Sequence, residues 1–400
     1  MPEYYALPTP YYLFDAAVFA SQASLLKQAL PKVPLCYAMK ANSFLLHHLP
    51  DEIQRVEVCS PGELRICERL LISPEKILYS GVMKEQDDIK EAIQYGVQNI
   101  TAESLRQFQL ISRAVKRTSR HIHVLLRLTS GNQFGMDLSC IKQILDQNTD
   151  SDPEIIGIHY YSGTQKKKAG QIVRDLKRLE DTLLILRKEC GFTPSLVEYG
   201  PGIATEYFAT PPAPPEINSV PADRNMLLEM EAKDKSLLSE VTPLLMDFAS
   251  KWPLTIELGR FLAASAGSYF TTVKDIKNNE GIPYVITDGG IHQLKYYGQL
   301  MSMQVPPILV HRKENTVPRS VISYCLCGSL CTSADVLVRE VSLPELQIGD
   351  ILEFTRCGAY SATEASGLFL SRKLPHVFFR NTDGSISRLR DAVPTDLINA

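Results

Sequence analysis

Lys40, in Lys40-Ala41-Asn42-Ser43, directly follows the apolar run Leu35-Cys36-Tyr37-Ala38-Met39. A lysine that ends a buried strand is poorly solvated, and desolvation favours its neutral amine. A neutral amine attacks aldehydes, so the position suits a Schiff-base lysine. A strand-end lysine reaching for solvent has the same local sequence. Further segments supply the remaining demands of pyridoxal phosphate: a partner for its ring nitrogen and an anchor for its phosphate. Glu257-Leu258-Gly259-Arg260 closes the apolar run Leu254-Thr255-Ile256 and sets a carboxylate at a strand end. A carboxylate on a pyridine nitrogen keeps it protonated and the ring fully electron-accepting, whereas an arginine there weakens the sink and favours racemisation. An ion pair between Glu257 and Arg260 accounts for the same pattern without a cofactor.

Two turns could hold the phosphate. Gly200-Pro201-Gly202 lets the N–H groups of its non-proline members approach an anion, and Ser162-Gly163-Thr164 adds hydroxyl donors. Taken singly, such turns are more often plain chain reversals. Tyr360, in Cys357-Gly358-Ala359-Tyr360, could offer a phenol to the same phosphate, or could be a core tyrosine.

These residues need elements to hold them. From about residue 25 to 262 short β-rich apolar runs alternate with amphipathic stretches. The periodicity predicts strands at Pro34–Met39, Glu57–Cys59, Ile77–Tyr79, Asn99–Thr101, His123–Leu128, Ile155–Tyr160, Leu196–Tyr199 and Leu254–Glu257. Helical patterns fall between them, at Glu63–Leu70, Lys84–Tyr95, Ser104–Val115 and Gly170–Cys190. Eight such repeats predict a (β/α)8 barrel, an α/β fold whose chemistry sits at the C-terminal strand ends. The turns named above all fall there. Residues 208–225 are rich in proline and read as a surface loop or insertion. Beyond residue 262 the runs Ser268–Lys277, Tyr284–Thr287, Val321–Cys325, Val336–Val341 and Ile351–Arg356 predict an antiparallel β domain, formed by 263–400 with residues 1–24.

Composition excludes several classes. At 44% hydrophobic residues, 400 residues can bury a large core. A net charge of −3 leaves no nucleic-acid footprint. Nine cysteines without regular spacing indicate reduced thiols, with no metal-knuckle pattern and no metal expected. No leader pattern or membrane-length apolar stretch is visible, so the chain reads as soluble and cytoplasmic.

Together the motifs resemble fold-type III pyridoxal-phosphate enzymes, the ornithine/diaminopimelate/arginine decarboxylase family (group IV), over about residues 8–380. Tyr37-Ala38-Met39-Lys40-Ala41-Asn42 resembles the cofactor-lysine motif, and Val58-Cys59-Ser60-Pro61-Gly62-Glu63-Leu64 an "ASxGEL" segment. Arg127 with Gln133-Phe134-Gly135 resembles an arginine strand followed by Phe-Gly. Glu257-Leu258-Gly259-Arg260 is similar to "EPGR", Gly328-Ser329-Leu330-Cys331-Thr332-Ser333-Ala334-Asp335 to the loop carrying an acid cysteine, and Gly358-Ala359-Tyr360 to "GAY". The resemblance implies an alanine racemase-like barrel plus β domain, and a head-to-tail homodimer with shared active sites. It implies a carboxy-lyase in which Lys40, Glu257 and Cys331 are catalytic. Arg127, Tyr161, Thr164, Gly200, Gly202, Gly259, Arg260 and Tyr360 would help bind the cofactor, and Thr332, Asp335 and His292 would face substrate.

Departures from the family pattern bear on the substrate. Thr332 stands where the family has Asp or Glu for a distal ammonium, and an ammonium left unpaired in a desolvated pocket costs several kcal/mol. Simple diamino acids are therefore disfavoured. Tyr161 is expected in place of a ring-stacking histidine. Asp288-Gly289-Gly290-Ile291-His292 resembles a biosynthetic-cluster subgroup that includes carrier-protein-linked amino acid decarboxylases. Lys166-Lys167-Lys168 could receive an acidic carrier, or could simply be a solvated helix start. The expected activity is α-decarboxylation of an amino acid, free or tethered to an acyl or peptidyl carrier. The alternatives are a diaminopimelate/ornithine-type decarboxylase on a free amino acid, or a racemase. A non-enzymatic cofactor carrier of this fold would lack the second domain.

Overall fold

A computed structural model describes residues 6–118, 120–148, 153–208, 224–299, 302–312 and 320–400. Most of the proline-rich stretch, 209–223, lies outside the described residues. The chain divides into a unit of Ala20–Ala204 with Lys235–Leu262, and a second unit of the N-terminal segment to Phe19, Thr205–Asp234 and Ala263–Ala400.

The strands, in chain order, are β1 (Tyr11–Asp15), β2 (Leu35–Ala38), β3 (Ile53–Val58), β4 (Ile77–Tyr79), β5 (Asn99–Ala102), β6 (His123–Leu128), β7 (Glu154–Tyr161), β8 (Leu196–Gly200) and β9 (Leu254–Leu258). They continue with β10 (Gly267–Asn279), β11 (Ile282–Thr287), β12 (Ile308–His311), β13 (Val321–Cys327), β14 (Val336–Pro344), β15 (Ile351–Phe354), β16 (His376–Arg380) and β17 (Ile386–Arg390). In the first unit β2 to β9 close a parallel barrel, β9 pairing back onto β2. Such strands are covered on both faces, which is why most read as apolar runs; β3 departs from this, with Gln54, Arg55 and Glu57 interrupting it, and begins at Ile53 rather than at the expected Glu57. Leu78, Leu125 and Leu196, from every second strand, form one apolar layer of the interior, as barrel geometry requires. Above it the inward positions become polar: Arg127 on β6 and Glu198 on β8, each two residues further along. A register shift opposite Ile156 changes the phase of β7, so that Gly157, His159 and Tyr161 share one face.

Local sequence sets where the helices begin. Before α1 (Pro61–Arg69), Ser60 Oγ accepts the Glu63 N–H at 3.1 Å while Glu63 accepts the Cys59 N–H at 2.7 Å. The Ser-Pro-Gly-Glu segment is thus a reciprocal cap with proline in the first turn. Ser104 caps α2 (Leu105–Val115) in the same manner. Two long helices follow, α3 (Ala169–Cys190) and α4 (Arg224–Lys251).

In the second unit nine strands form one sheet, with the order β14-β13-β11-β10-β1-β16-β17 and β15 linking β12 to β10. It is antiparallel except for the pairs β1–β16 and β11–β13, so the sheet is mixed rather than purely antiparallel. Among the described residues no helix is long and apolar enough to cross a membrane.

Gly157 on β7 faces β8 at close range: a Cβ there would lie 1.9 Å from the Leu196 carbonyl oxygen. Backbone cannot give way as a side-chain tip can. Gly157→Ala is expected to destabilise the protein by about 1–3 kcal/mol, read from the urea-unfolding midpoint. An unchanged midpoint would contradict this packing.

Candidate active site

Lys40 sits in a single turn of 3-10 helix, Met39–Ala41, immediately after β2. Its ammonium pairs with Glu57 at the end of β3 and lies 3.7 Å from Glu257 at the end of β9. Both carboxylates are buried, whereas the Lys40 side chain is 39% accessible. The structure therefore corrects the premise that Lys40 is desolvated. The amine is held by charge at an open position, within reach of an incoming aldehyde.

His159 Nε2 lies 3.0 Å from Glu257 on the other side. Burial alone would raise the Glu257 carboxyl, but Lys40 and then His159 outweigh it and hold the group well below the usual carboxylate range. An obligate anion results, with the chemistry to accept a proton-bearing ring nitrogen. His159 stands two residues before Tyr161 on the same face of β7. The Tyr161 ring lies against the next strand, where a Cβ on Gly200 would come within 2.7 Å of it.

The turns after β7 and β8 form a joined pair. The Lys166 N–H donates to Gly202 O at 2.9 Å, and Ala204 N–H returns to Lys166 O at 3.2 Å. Gly202 has φ +62°, and a Cβ there would lie 2.0 Å from Gly163 O. Gly163, at φ +119°, has nothing within 4 Å of its Cβ position. This open, side-chain-free cradle beside Thr164 fits a phosphate, just as the anionic Glu257 fits the ring nitrogen. Gly259 and Arg260 follow β9 directly, on the same rim as Lys40 and Glu257. The residues present fit pyridoxal phosphate.

Other expected residues have different surroundings. Arg127 Nη1 donates to Glu103 at 2.8 Å and its guanidinium lies 4.8 Å from the Phe134 ring centre. Glu103 also accepts the Gly135 N–H at 3.2 Å, so the Arg…Phe-Gly pattern is a self-contained clasp. Lys166 is buried against Asp175, which also accepts from Ser162 at 2.7 Å and Tyr199 at 2.9 Å. The basic triplet thus presents Lys167 and Lys168 at the surface, not all three residues.

Cys331, Thr332, Asp335, His292 and Tyr360 belong to the second unit. Cys331 is exposed. The buried Asp335 carboxylate accepts the N–H groups of Ile291 at 2.9 Å and Leu330 at 2.6 Å. Gly290 and Gly328 close over it so tightly that a Cβ on either would strike it, at 2.7 and 2.4 Å. It pins the cysteine loop to the Asp288-Gly289-Gly290 turn. His292 is also buried, and burial followed by Arg372 lowers its imidazole to about 4. A neutral, enclosed ring does not suit the substrate contact expected of it. Tyr360 has φ +66°, an unusual conformation for a non-glycine residue.

Sequence reasoning missed Glu57, His159, Glu198 and Lys84. His159 and Tyr161 are two apart in one strand, so period-two alternation could have found the former. Lys84 shows why acidity alone is a poor guide. Burial lowers its amine to about 8, but the amine is enclosed and donates to Gly81 O at 2.6 Å and Gln107 at 3.2 Å. Accessibility selects Lys40. Glu57, His159 and Glu257 have ligand atoms within 4.8 Å of one another, a set that could also hold a metal ion. Lys40 already supplies positive charge beside both carboxylates.

Residues 16–264 match the family model described as pyridoxal-dependent decarboxylase, pyridoxal binding domain. An L-glutamyl-BtrI acyl-carrier protein decarboxylase of Niallia circulans is 27% identical, over 97% of this chain and 94% of that protein. A diaminopimelate decarboxylase of Halalkalibacterium halodurans is 24% identical, over 97% and 91%. The crystal structure of Helicobacter pylori diaminopimelate decarboxylase with L-lysine superposes with a TM-score of 0.80 at 21% identity, covering 99% of this chain and 97% of that one.

Deeper in the barrel, burial and then the Glu257 charge raise the Glu198 carboxyl from 4.5 to about 7. Arg55 Nη1, at 4.0 Å, is beyond hydrogen-bond reach. Between these two pH values the folded chain keeps a proton that the unfolded chain has lost, so stability falls as pH rises. Glu198→Gln lacks that loss. Its stability relative to wild type should improve by about 3 kcal/mol between about pH 4.5 and pH 7, read by urea unfolding across that window. Parallel pH curves for the two proteins would contradict this assignment.

Proposed function

The chain belongs to the pyridoxal-dependent decarboxylase family, and from that membership we propose that it removes the α-carboxylate of an amino acid as CO2, using Lys40, Glu257 and Cys331. At a coarser level it is a pyridoxal-phosphate lyase related to the diaminopimelate, ornithine and lysine decarboxylases. The observation that carries the residue assignment is the accessible Lys40 amine beside two buried carboxylates.

Lys40 would hold the cofactor's aldehyde carbon, Glu257 its ring nitrogen, and the Gly163-Thr164 and Gly200–Gly202 turns its phosphate. When bound, pyridoxal phosphate supplies an electron sink for the bond between Cα and the carboxylate. With its own carboxyl held ionised, Glu257 would favour a proton on the ring nitrogen, and His159 fixes that carboxyl's orientation. Glu57 balances the Lys40 charge. Tyr161 offers an aromatic face next to the same turns. Cys331 Sγ would carry the proton delivered to Cα. In the head-to-tail homodimer we propose, the cysteine loop of one copy completes the site on the barrel of the other. Asp335 holds that loop in one conformation.

The diaminopimelate relative makes a free diamino acid the first substrate class to test. A second reading rests on Thr332 and on the carrier-protein relative. An uncharged residue after the cysteine leaves a distal ammonium without a carboxylate, which suits an amino acid whose side chain is joined to a carrier or another acyl group. Holoenzyme incubated with meso-diaminopimelate, L-ornithine, L-lysine and L-glutamate, free and carrier-loaded, should release CO2 from at least one. Racemised amino acid without CO2 would overturn the proposal in favour of a racemase.

Two variants separate the roles. Cys331→Ala should retain cofactor but lower kcat by roughly 10²–10⁴-fold, with more product lost to transamination; normal turnover would dismiss the cysteine. Thr332→Asp should raise kcat/KM for free diamino acids by roughly tenfold or more, as expected for a regained charge pair. No gain would remove Thr332 as a selectivity determinant.

A further inference from the structure

We propose that His121, His123 and Glu154 form a binding site for a borderline divalent cation of the zinc, cobalt or nickel type at the N-terminal rim of the barrel. His123 opens β6 and Glu154 opens β7, and the two are directly paired in register. His121 is two residues before His123, on the phase that Leu125 and Arg127 continue inward along β6. Ile122 between them is buried, which fixes the alternation.

Both imidazoles aim Nε2 at a single carboxylate oxygen: His121 at 2.9 Å and His123 at 3.6 Å from Glu154 Oε2. The three ligand atoms fall within 4.8 Å of one another. The two rings meet edge-on, with centres 5.1 Å apart and planes at 88°; a cation would replace the proton that an imidazole nitrogen shares with the Glu154 carboxylate. Two imidazole nitrogens and one carboxylate oxygen on adjacent paired strands form a three-point set that leaves further positions for water. Imidazole donors select zinc, cobalt, nickel or copper over magnesium and calcium, which prefer all-oxygen sites. A divalent cation can be held by all three groups together.

The position assigns the role. The N-terminal face of such a barrel carries stability rather than chemistry, and a bound cation here would tie β6 to β7 at the end opposite Arg127 and His159. Binding to the folded state alone then raises its melting temperature with cation concentration.

The test uses untagged holoenzyme stripped with chelator, titrated with Zn2+ and Co2+ by calorimetry and followed by the visible spectrum of Co2+. Wild type should bind one equivalent in the micromolar range or tighter, without a thiolate charge-transfer band, and Mg2+ should not compete. His121→Ala and His123→Ala should each weaken binding by roughly tenfold to a hundredfold, leaving decarboxylase turnover and the metal-free melting temperature unchanged. Because these side chains are exposed or half-buried, either variant should fold. Equal affinity in wild type and both variants, a cobalt–thiolate spectrum, or no binding at millimolar cation would each overturn the proposal.

Discussion

The architecture depends on keeping negative charge inside a parallel barrel. Glu57 and Glu257 are buried, and a buried carboxylate costs several kcal/mol unless it is paired and hydrogen-bonded. Here the compensation is Lys40 between the two acids and His159 against one of them. The carboxylates hold the lysine at an accessible position, and the lysine and histidine keep Glu257 ionised. A site of this kind is prepared for a cationic ring nitrogen and an aldehyde before either arrives. Such preorganisation is where a protein adds most to a cofactor that carries its own chemistry.

Backbone geometry supplies the rest. The β7 and β8 turns approach so closely that only glycine serves at 202, and that contact leaves the Gly163 side open. Arg127, Glu103, Phe134 and Gly135 clasp one another, and this stiffens the same rim. In the second unit Asp335 performs a similar service by collecting N–H groups from two segments. The exposed Cys331 therefore sits on a loop anchored from beneath.

Much of this was legible from the residues. Seven of the barrel strands were visible as runs close to their observed positions, and the bounds of Ile77–Tyr79 and His123–Leu128 agree to the residue, whereas the strand expected at Glu57–Cys59 runs from Ile53 to Val58. Covered parallel strands produce that signal directly. The mixed sheet was less legible: β1 and β16 pair in parallel across most of the chain, and no local pattern encodes so distant a partner. Lys40 and Glu257 stood out because strand ends attract attention. Glu57 and His159 did not: Glu57 lies inside a strand whose bounds were misplaced, and the partner of His159, Glu257, is 98 residues away. Asp335 and His292 drew attention through their motif positions, while their burial could only be seen once the loops were folded.

The central claim is that one particular amine carries the cofactor. Borohydride reduction of the pyridoxal-phosphate-loaded protein, followed by peptide mapping, reads this directly. The account predicts a phosphopyridoxyl label on the peptide containing Lys40, with Lys84 and Lys166 unlabelled. A label on Lys84, or none on Lys40 at saturating cofactor, would contradict it.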